Sequence, residues 1–344
     1  MKILLTGGAG FIGSNFILYA LSKGHQIINI DKLTYSGNPE NLESVESDSN
    51  YVFCKQDICC RPEIENIFVL HQPDVVVHMA AESHVDRSID NSEEFIRTNV
   101  LGTHVLLDCA LNYWIQKGRP NNFRFLHLST DEVFGALGIT GIFNENSPYK
   151  PNSPYSASKA SSDLIVRSYF KTYDFPVLII NSSNNYGPRQ YPEKLIPFTI
   201  LNALQSRPLQ VYGKGTQVRD WLYVRDHVSA LLQILEKGTP GESYCVGGAT
   251  ELTNLQVVQK ICVILEVLKP TKEPYDRLIK FVQDRPGHDF RYAIDFSKVS
   301  QDVNWSPETD FTKGLEETIK WYLNRVSNHS LNFNVVKRIG LRTE

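Results

Sequence analysis

The chain has 344 residues, 42% of them hydrophobic and 21% charged, with 35 basic against 38 acidic side chains for a net charge of −3. That length suits one large domain or two with a sizeable buried core. An isoelectric point near 6.3 leaves no basic footprint for nucleic acid or anionic lipid, so any anionic ligand has to be held by local groups. No apolar run approaches the ~18 residues a membrane helix requires, and Gly7-Gly8 cut the apolar start Ile3-Leu4-Leu5, which argues against a signal peptide. These features predict a cytoplasmic protein with neither membrane nor nucleic acid as a partner. Cys54, Cys59, Cys60, Cys109, Cys245 and Cys262 form no Cys-x-x-Cys pair and read as reduced thiols without a metal site.

In chain order, Lys2 to Thr6 is an apolar run of strand type, followed by Gly7-Gly8-Ala9-Gly10-Phe11-Ile12-Gly13 and a helical pattern from Ser14 to Lys23. Strand, glycine turn and helix in that order form a phosphate cradle: backbone amides and the helix dipole face the anion, and glycines allow close approach. A structural turn also explains many glycine patterns. Here a second strand, Gln26 to Ile30, ends in Asp31, 18 residues past Gly13, near the spacing of about 20 at which an acid accepts from the ribose hydroxyls of a dinucleotide. A carboxylate there repels a 2′-phosphate, which favours NAD over NADP, although Lys32 stands beside it.

The alternation continues with a strand at Tyr51 to Lys55, a helix at Ile64 to Leu70, and Asp74 to Met79, an apolar run of the kind found in parallel sheets buried on both faces. Ala80-Ala81 lead into a polar loop, Glu82 to Ser88, in which His84 and Asp86 read as loop braces or substrate-side contacts. A long helix from about Glu93 to Tyr113 precedes a fifth strand, Phe123 to Ser129. That strand runs into Thr130-Asp131-Glu132: a hydroxyl and two adjacent carboxylates at the strand end, where open α/β sheets hold ligands. Other acidic pairs, Glu93-Glu94 and Glu316-Glu317, read as solvated helix faces. Pro154 starts a helix with Tyr155 and Lys159 one turn apart. The ammonium is expected to lower the phenol's pKa so that it can take a proton from a hydroxyl. Tyr19/Lys23, Tyr51/Lys55 and Tyr113/Lys117 share that spacing; the pair at 155/159 alone follows a strand ending in polar residues and opens a helix. From Pro192 the rhythm changes to shorter pieces: helices near Glu193 to Leu204, Asp226 to Lys237 and Asn254 to Leu268, and strands at Leu209 to Tyr212 and Val218 to Tyr223. That suits a cap across the strand ends.

Thr-Gly-Gly-Ala-Gly-Phe-Ile-Gly at 6–13, Ala-Ala-Glu-Ser-His-Val-Asp-Arg-Ser at 80–88, Ser-Thr-Asp-Glu-Val-Phe-Gly at 129–135 and the Tyr155/Lys159 couple together resemble the extended short-chain dehydrogenase/reductases. Within them the chain is similar to the dTDP-glucose 4,6-dehydratase family, a likeness continued by Ser183 to Pro188, Pro192 to Pro197, Arg219-Asp220-Trp221 and Asp284 to Asp289. The resemblance implies a Rossmann-type doubly wound parallel α/β sheet over 1–190, rejoined by some later segments. It also implies a smaller C-terminal α/β cap over 191–325 for the sugar nucleotide, and leaves a loosely ordered tail over 326–344. It further implies tightly held NAD, dTDP-glucose as substrate, and a homodimer paired through the helices at 93–113 and 154–173.

The same resemblance assigns catalysis to Thr130, Asp131, Glu132, Tyr155 and Lys159. Tyr155 takes the 4-hydroxyl proton, Glu132 the C5 proton, Asp131 protonates the departing 6-hydroxyl, and Thr130 orients the 4-oxygen. Toward NAD it places Gly7, Gly10, Phe11, Ile12, Gly13, Asp31, Lys32, Thr34, Asp57, Ile58, Ala80, Ala81, Ser83, Thr98, Tyr155, Lys159 and Asn185. Toward the sugar nucleotide it places Ser83, Thr130, Asn184, Lys194, Leu195, Tyr212, Arg219, Asn254, Asp284, Arg285 and His288, with Arg219 as the diphosphate ligand because a guanidinium can bond it in two places. A 4-epimerase or a dehydratase of UDP- or GDP-sugars on the same scaffold remains an alternative, as does a non-catalytic NAD sensor. Intact Asp131-Glu132 separates the first reading from an epimerase, and the retained Tyr155/Lys159 couple speaks against the sensor.

Overall fold

The computed structural model describes residues 1–284 and 286–327; Arg285 and the tail from 328 onward lie outside the described residues. Its first half alternates β1 (Lys2–Thr6), α1 (Phe11–Ser22), β2 (Gln26–Asp31), β3 (Tyr51–Lys55), α2 (Arg61–His71) and β4 (Val75–His78). Then come α3 (Val85–Asp90), α4 (Glu93–Phe95), a π-helical turn over Ile96–Gly102, α5 (Thr103–Gln116), β5 (Phe125–Thr130), α6 (Pro154–Tyr173) and β6 (Val177–Ser182). The remainder comprises β7 (Asn184–Tyr186), α7 (Leu195–Leu204), β8 (Leu209–Tyr212), β9 (Val218–Tyr223), α8 (Val224–Lys237), β10 (Ser243–Val246), β11 (Glu251–Thr253), α9 (Asn254–Leu268), β12 (Ile279–Val282), α10 (Ser297–Val303) and α11 (Phe311–Ser327).

Seven strands form one sheet in the order β10-β6-β5-β4-β1-β2-β3, every pair parallel. Because side chains alternate across a strand, β1 sends Ile3 and Leu5 to one face, where they pack with α1 and α8, and Leu4 to the other, where α2, α5 and α6 cover it. β4, β5 and β6 are buried at every residue, which for β4 is what the nearly unbroken apolar run at 74–79 led us to expect. β3 closes the sheet as an edge strand with Val52 and Phe53 exposed. The strand order reverses between β1 and β4, leaving a crevice at their carboxyl ends.

A second core joins α7, α9 and α11 to β8 and β9. Around it lie a three-stranded sheet, β11-β9-β7, and a parallel pair, β12-β8. Two local expectations need correction. The segment read as a loop from Glu82 to Ser88 runs into α3 at Val85, started by the His84 side chain accepting from the Arg87 amide at 3.3 Å; six residues are too few for a helical period to show. The helix read as continuous from Glu93 to Tyr113 passes through the π turn, where Gly102 lies against Ile58 so closely that a Cβ would fall 2.6 Å from its Cδ1.

Candidate active site

Gly7 leaves β1 with φ +78°, a conformation natural to glycine, and an added Cβ would lie 2.7 Å from the Ala80 nitrogen. Gly13 is closed off by the protein itself, since a Cβ there would fall 2.2 Å from the Gly7 oxygen. Gly10 differs. A Cβ on it would meet only the Gly7 oxygen, at 3.3 Å, and the residue lines the main cleft, so its missing side chain makes room for a ligand. With α1 beginning at Phe11, this cradle fits a dinucleotide diphosphate.

At the end of β2 the Asp31 carboxylate is oriented by the Ala9 amide at 2.9 Å and the Leu33 amide at 2.8 Å, and burial raises its pKa. Lys32 Nζ donates to Asp57 Oδ2 at 3.4 Å and Thr98 Oγ1 at 3.2 Å. That pairing answers the ambiguity Lys32 created, because its charge is shared with a carboxylate of the protein. Asp57 thus stands behind the wall that Lys32, Ile58 and Thr98 form. Phe11, Ile12, Thr34, Ala80, Ala81 and Ser83 line the same cleft. The π turn presents Thr98 to it and leaves Asn99 to brace the loop after β4, accepting from the Glu82 amide at 2.9 Å and donating to Ser158 Oγ at 2.8 Å.

The reacting end is built by β5 and α6. Thr130 finishes β5 and caps the following turn, its Oγ1 accepting from the Glu132 amide at 3.3 Å. α6 starts at a reciprocal cap, Ser153 with Ser156, and Pro154 in the first turn, so that Tyr155, Lys159 and Asp163 fall on one inward face. Thr130, Asp131, Glu132, Tyr155 and Lys159 line one cleft. Asp131 is 1% exposed, and its Oδ2 has no hydrogen-bond partner among the described residues. Burial first, then Glu132 and Asp220, push its carboxyl well above the usual range, which favours the protonated form of Asp131. Lys159 donates to the Leu128 carbonyl at 2.8 Å, and burial lowers its pKa to about 8 against the opposing pull of Asp163.

The expected lowering of the Tyr155 pKa is not what the protein's own groups produce. Burial, followed by the nearby Glu132, raises it. The phenol sits in the same dry corner as the carboxylate, and the lysine spends one donor on a backbone carbonyl.

Asn184, Asn185, Gln190, Glu193, Lys194 and Glu132 belong to this cleft and to an adjoining one. The second is walled by Leu195, Tyr212, Arg219, Asn254 and His288 of the predicted set. Arg219 donates to the carbonyls of Val218 at 2.8 Å and Asp289 at 3.0 Å, and its guanidinium stacks over Tyr292, 4.5 Å from the ring centroid. Asp284 is on neither wall; it accepts from Gln217 at 2.8 Å and pairs with His288 at 2.6 Å. Arg285 lies outside the described residues. The side-chain oxygens of Asn184, Asn185 and Gln190 are buried without partners among the described residues, as expected of groups that meet a polar ligand.

The profile of the GDP-mannose 4,6 dehydratase family matches residues 4–318. A probable dTDP-glucose 4,6-dehydratase of Sinorhizobium fredii is 52% identical over 94% of this chain and 93% of its own length. The dTDP-glucose 4,6-dehydratase of Haemophilus influenzae is 52% identical over 94% and 98%. The crystal structure of the Bacillus anthracis dTDP-glucose 4,6-dehydratase in complex with NAD superposes with a TM-score of 0.84 at 44% identity, covering 95% of this chain and 98% of that one. The chain belongs to the dTDP-glucose 4,6-dehydratase family. A UDP-glucose 4-epimerase of Thermotoga maritima reaches the same TM-score of 0.84 at 29% identity, covering 95% of this chain and 100% of that one, so the fold alone does not single out the family's reaction.

Sequence reasoning did not anticipate several residues of this family member's clefts. Glu193 accepts from Arg87 Nε at 3.1 Å and lies 3.8 Å from His84 Nε2, and the Arg87 guanidinium lies 3.8 Å above the Tyr35 ring. His84 and Asp86 thereby brace the loop, Asp86 accepting from Tyr212 at 3.2 Å, and both also line the second cleft, so the structure leaves the two expected roles side by side. Trp221 and Glu193 lie inside quoted motifs and could have been named; Tyr292 carried no local signal, since only tertiary contact puts it beside Arg219.

Proposed function

We propose that this protein converts dTDP-glucose to dTDP-4-keto-6-deoxyglucose: C4 is oxidised, water leaves across C5 and C6, and C6 is reduced. The observation that carries the reading is a buried Asp131, its carboxyl pushed toward the protonated form, beside Glu132 in a cleft shared with Tyr155 and Lys159. NAD, when bound, supplies the hydride acceptor at C4 and the donor at C6, together with a positive charge that offsets Glu132 in the field felt by Tyr155. Gly7, Gly10, Gly13 and the N-terminus of α1 hold its diphosphate, Asp31 the adenosine ribose, and Thr34, Ile58, Ala80, Ala81 and Thr98 the walls around it.

Tyr155 takes the proton of the 4-hydroxyl, and Thr130 donates a hydrogen bond to the same oxygen. A ketone at C4 makes the C5 hydrogen acidic. Glu132 removes it, and Asp131 gives its proton to the departing 6-hydroxyl, so one proton and one hydroxide leave as water. The two carboxyl groups need opposite protonation states, and burial of Asp131 beside an acidic neighbour keeps it the neutral member. An epimerase has no use for that pair. Asn184, Lys194, Leu195, Tyr212, Arg219, Asn254 and His288 form the nucleotide side, with residues 1–190 as cofactor domain and 191–325 as cap.

The protein acts as a cytoplasmic homodimer in this reading: α5 and α6 present Leu101, from the adjoining π turn, and Leu164 as exposed apolar side chains, 49% and 58% accessible, which a second copy covers. Incubation with dTDP-glucose and, separately, UDP-glucose tests the reaction by alkali-induced absorbance of a 4-keto-6-deoxy product and a mass one water lighter. Product from dTDP-glucose alone is the expected result; a 4-epimer without loss of water would overturn the roles of Asp131 and Glu132.

A further inference from the structure

The reaction above leaves one buried charge unused. Asp163 lies on α6 one turn beyond Lys159 and is 1% exposed. Its carboxylate accepts from Ser129 Oγ at 2.7 Å, Tyr149 OH at 3.0 Å, His127 Nε2 at 3.1 Å and Asn181 Nδ2 at 3.3 Å. A buried carboxylate is costly unless hydrogen-bonded and balanced by a cation. Four donors from two strands and a loop supply the hydrogen bonds. Their positions matter: Ser129 immediately precedes Thr130 on β5, and Asn181 Nδ2 also donates to the Thr130 carbonyl at 3.2 Å. One carboxylate therefore ties together the carboxyl ends of β5 and β6 directly beneath the reacting acids.

The counter-charge comes from Lys159. Of the groups packed around it, His78 on β4 and His127 on β5 are held neutral by burial, His127 with a pKa of about 4. Tyr155 is on its own helix, and Asp131 and Glu132 stand across the cleft, with burial pushing Asp131 toward its protonated form. Asp163 is the acid that pulls Lys159 toward its protonated form against burial. Among the described residues no ion pair joins the two; Lys159 Nζ donates to the Leu128 carbonyl, so Asp163 acts on it through space.

We propose that Asp163 is a positioning residue for this reaction: it keeps Lys159 as the ammonium that supports Tyr155, and anchors the strand ends that carry Thr130, Asp131 and Glu132. The inference rests on the dehydratase reading. The test follows the appearance of reduced nicotinamide after rapid mixing of the holoenzyme with dTDP-glucose across a pH series. In Asp163→Asn, loss of a negative charge about one helical turn from Lys159 moves the alkaline limb of the rate profile to lower pH by about one to two units, and Asp163→Glu, which keeps the charge, returns it toward wild type. A uniformly slower Asp163→Asn with an unmoved limb overturns the electrostatic role. Ser129→Ala serves even where Asp163→Asn fails to fold: it leaves the charge and removes the shortest anchor. Its rate of nicotinamide reduction falls about ten-fold, the order of one charge-assisted hydrogen bond, with bound NAD and the limb unchanged; a wild-type rate overturns the anchoring role. Wild-type protein that forms no reduced nicotinamide from dTDP-glucose counts against the reaction itself, which separates the two failures.

Discussion

Gly10→Ala and Gly13→Ala make a matched pair of perturbations in one turn with opposite expected consequences. At Gly13 a methyl group would sit 2.2 Å from the Gly7 oxygen and 2.7 Å from the Gly8 Cα, both backbone atoms. Relieving such overlap moves the turn, at a cost of about 3 kcal/mol, which lowers the unfolding temperature by about 4 °C in a chain of this size. At Gly10 the backbone is extended, φ −76° and ψ −177°, and the nearest atom is 3.3 Å away. Alanine there costs only the difference between two helix caps, below about 1 kcal/mol. The same methyl points into the cleft, where it holds a diphosphate oxygen back from the turn's amides. Losing one charge-assisted hydrogen bond, about 1.5–3 kcal/mol, weakens NAD about 10- to 150-fold. NAD per chain after gel filtration, titration with added NAD and thermal unfolding measure both effects. A Gly10→Ala protein that retains NAD like wild type would refute the placement of the diphosphate against this turn.

Glu132→Gln should abolish exchange of the C5 hydrogen with solvent while NAD stays bound; exchange at the wild-type rate removes Glu132 from the base role. Tyr155→Phe should stop the first reduction of the cofactor, so unchanged formation of reduced nicotinamide is the result that counts against it. Stability should also depend on pH through His227, which is fully buried with neither ring nitrogen hydrogen-bonded and a pKa lowered by burial from 6.5 to about 3. Above pH 6.5 both states are neutral there. Below it the unfolded chain takes up a proton that the folded one refuses, so stability falls by about 1.4 kcal/mol per pH unit from this group until about pH 3. His227→Leu should flatten the slope of unfolding temperature between pH 6 and 4, and a slope equal to wild type shows that His227 does not control it.

Much of the first half was legible because its signals are local. β1 and β3 fall where short apolar runs placed them, and Gly7, Gly10 and Gly13 with Asp31 occupy about one strand–helix–strand unit, so the cradle is written in consecutive residues. Thr130-Asp131-Glu132 and Tyr155/Lys159 carried a chemical signal for the same reason: each is a cluster or a one-turn spacing. The strands β6 and β10 were not named, and the polar stretch holding α3 was read as a loop, since a four- to six-residue element needs neighbours to reveal itself.

What the sequence by itself determined is the repertoire: a phosphate turn, an acid at the second strand, two adjacent carboxyl groups and a phenol one turn from a lysine. Tertiary structure decided their chemical states. Asp131 is pushed toward its protonated form because it is buried beside acids from two segments, Tyr155 is a reluctant acid because it is buried and Glu132 shares its corner, and Lys32 is spoken for by Asp57. Asp163 gains its meaning from Ser129, Tyr149, His127 and Asn181, which lie 14 to 36 residues away. Periodicity and turn chemistry act over a few residues, whereas desolvation and Coulomb interactions depend on what the whole fold brings within a few ångströms.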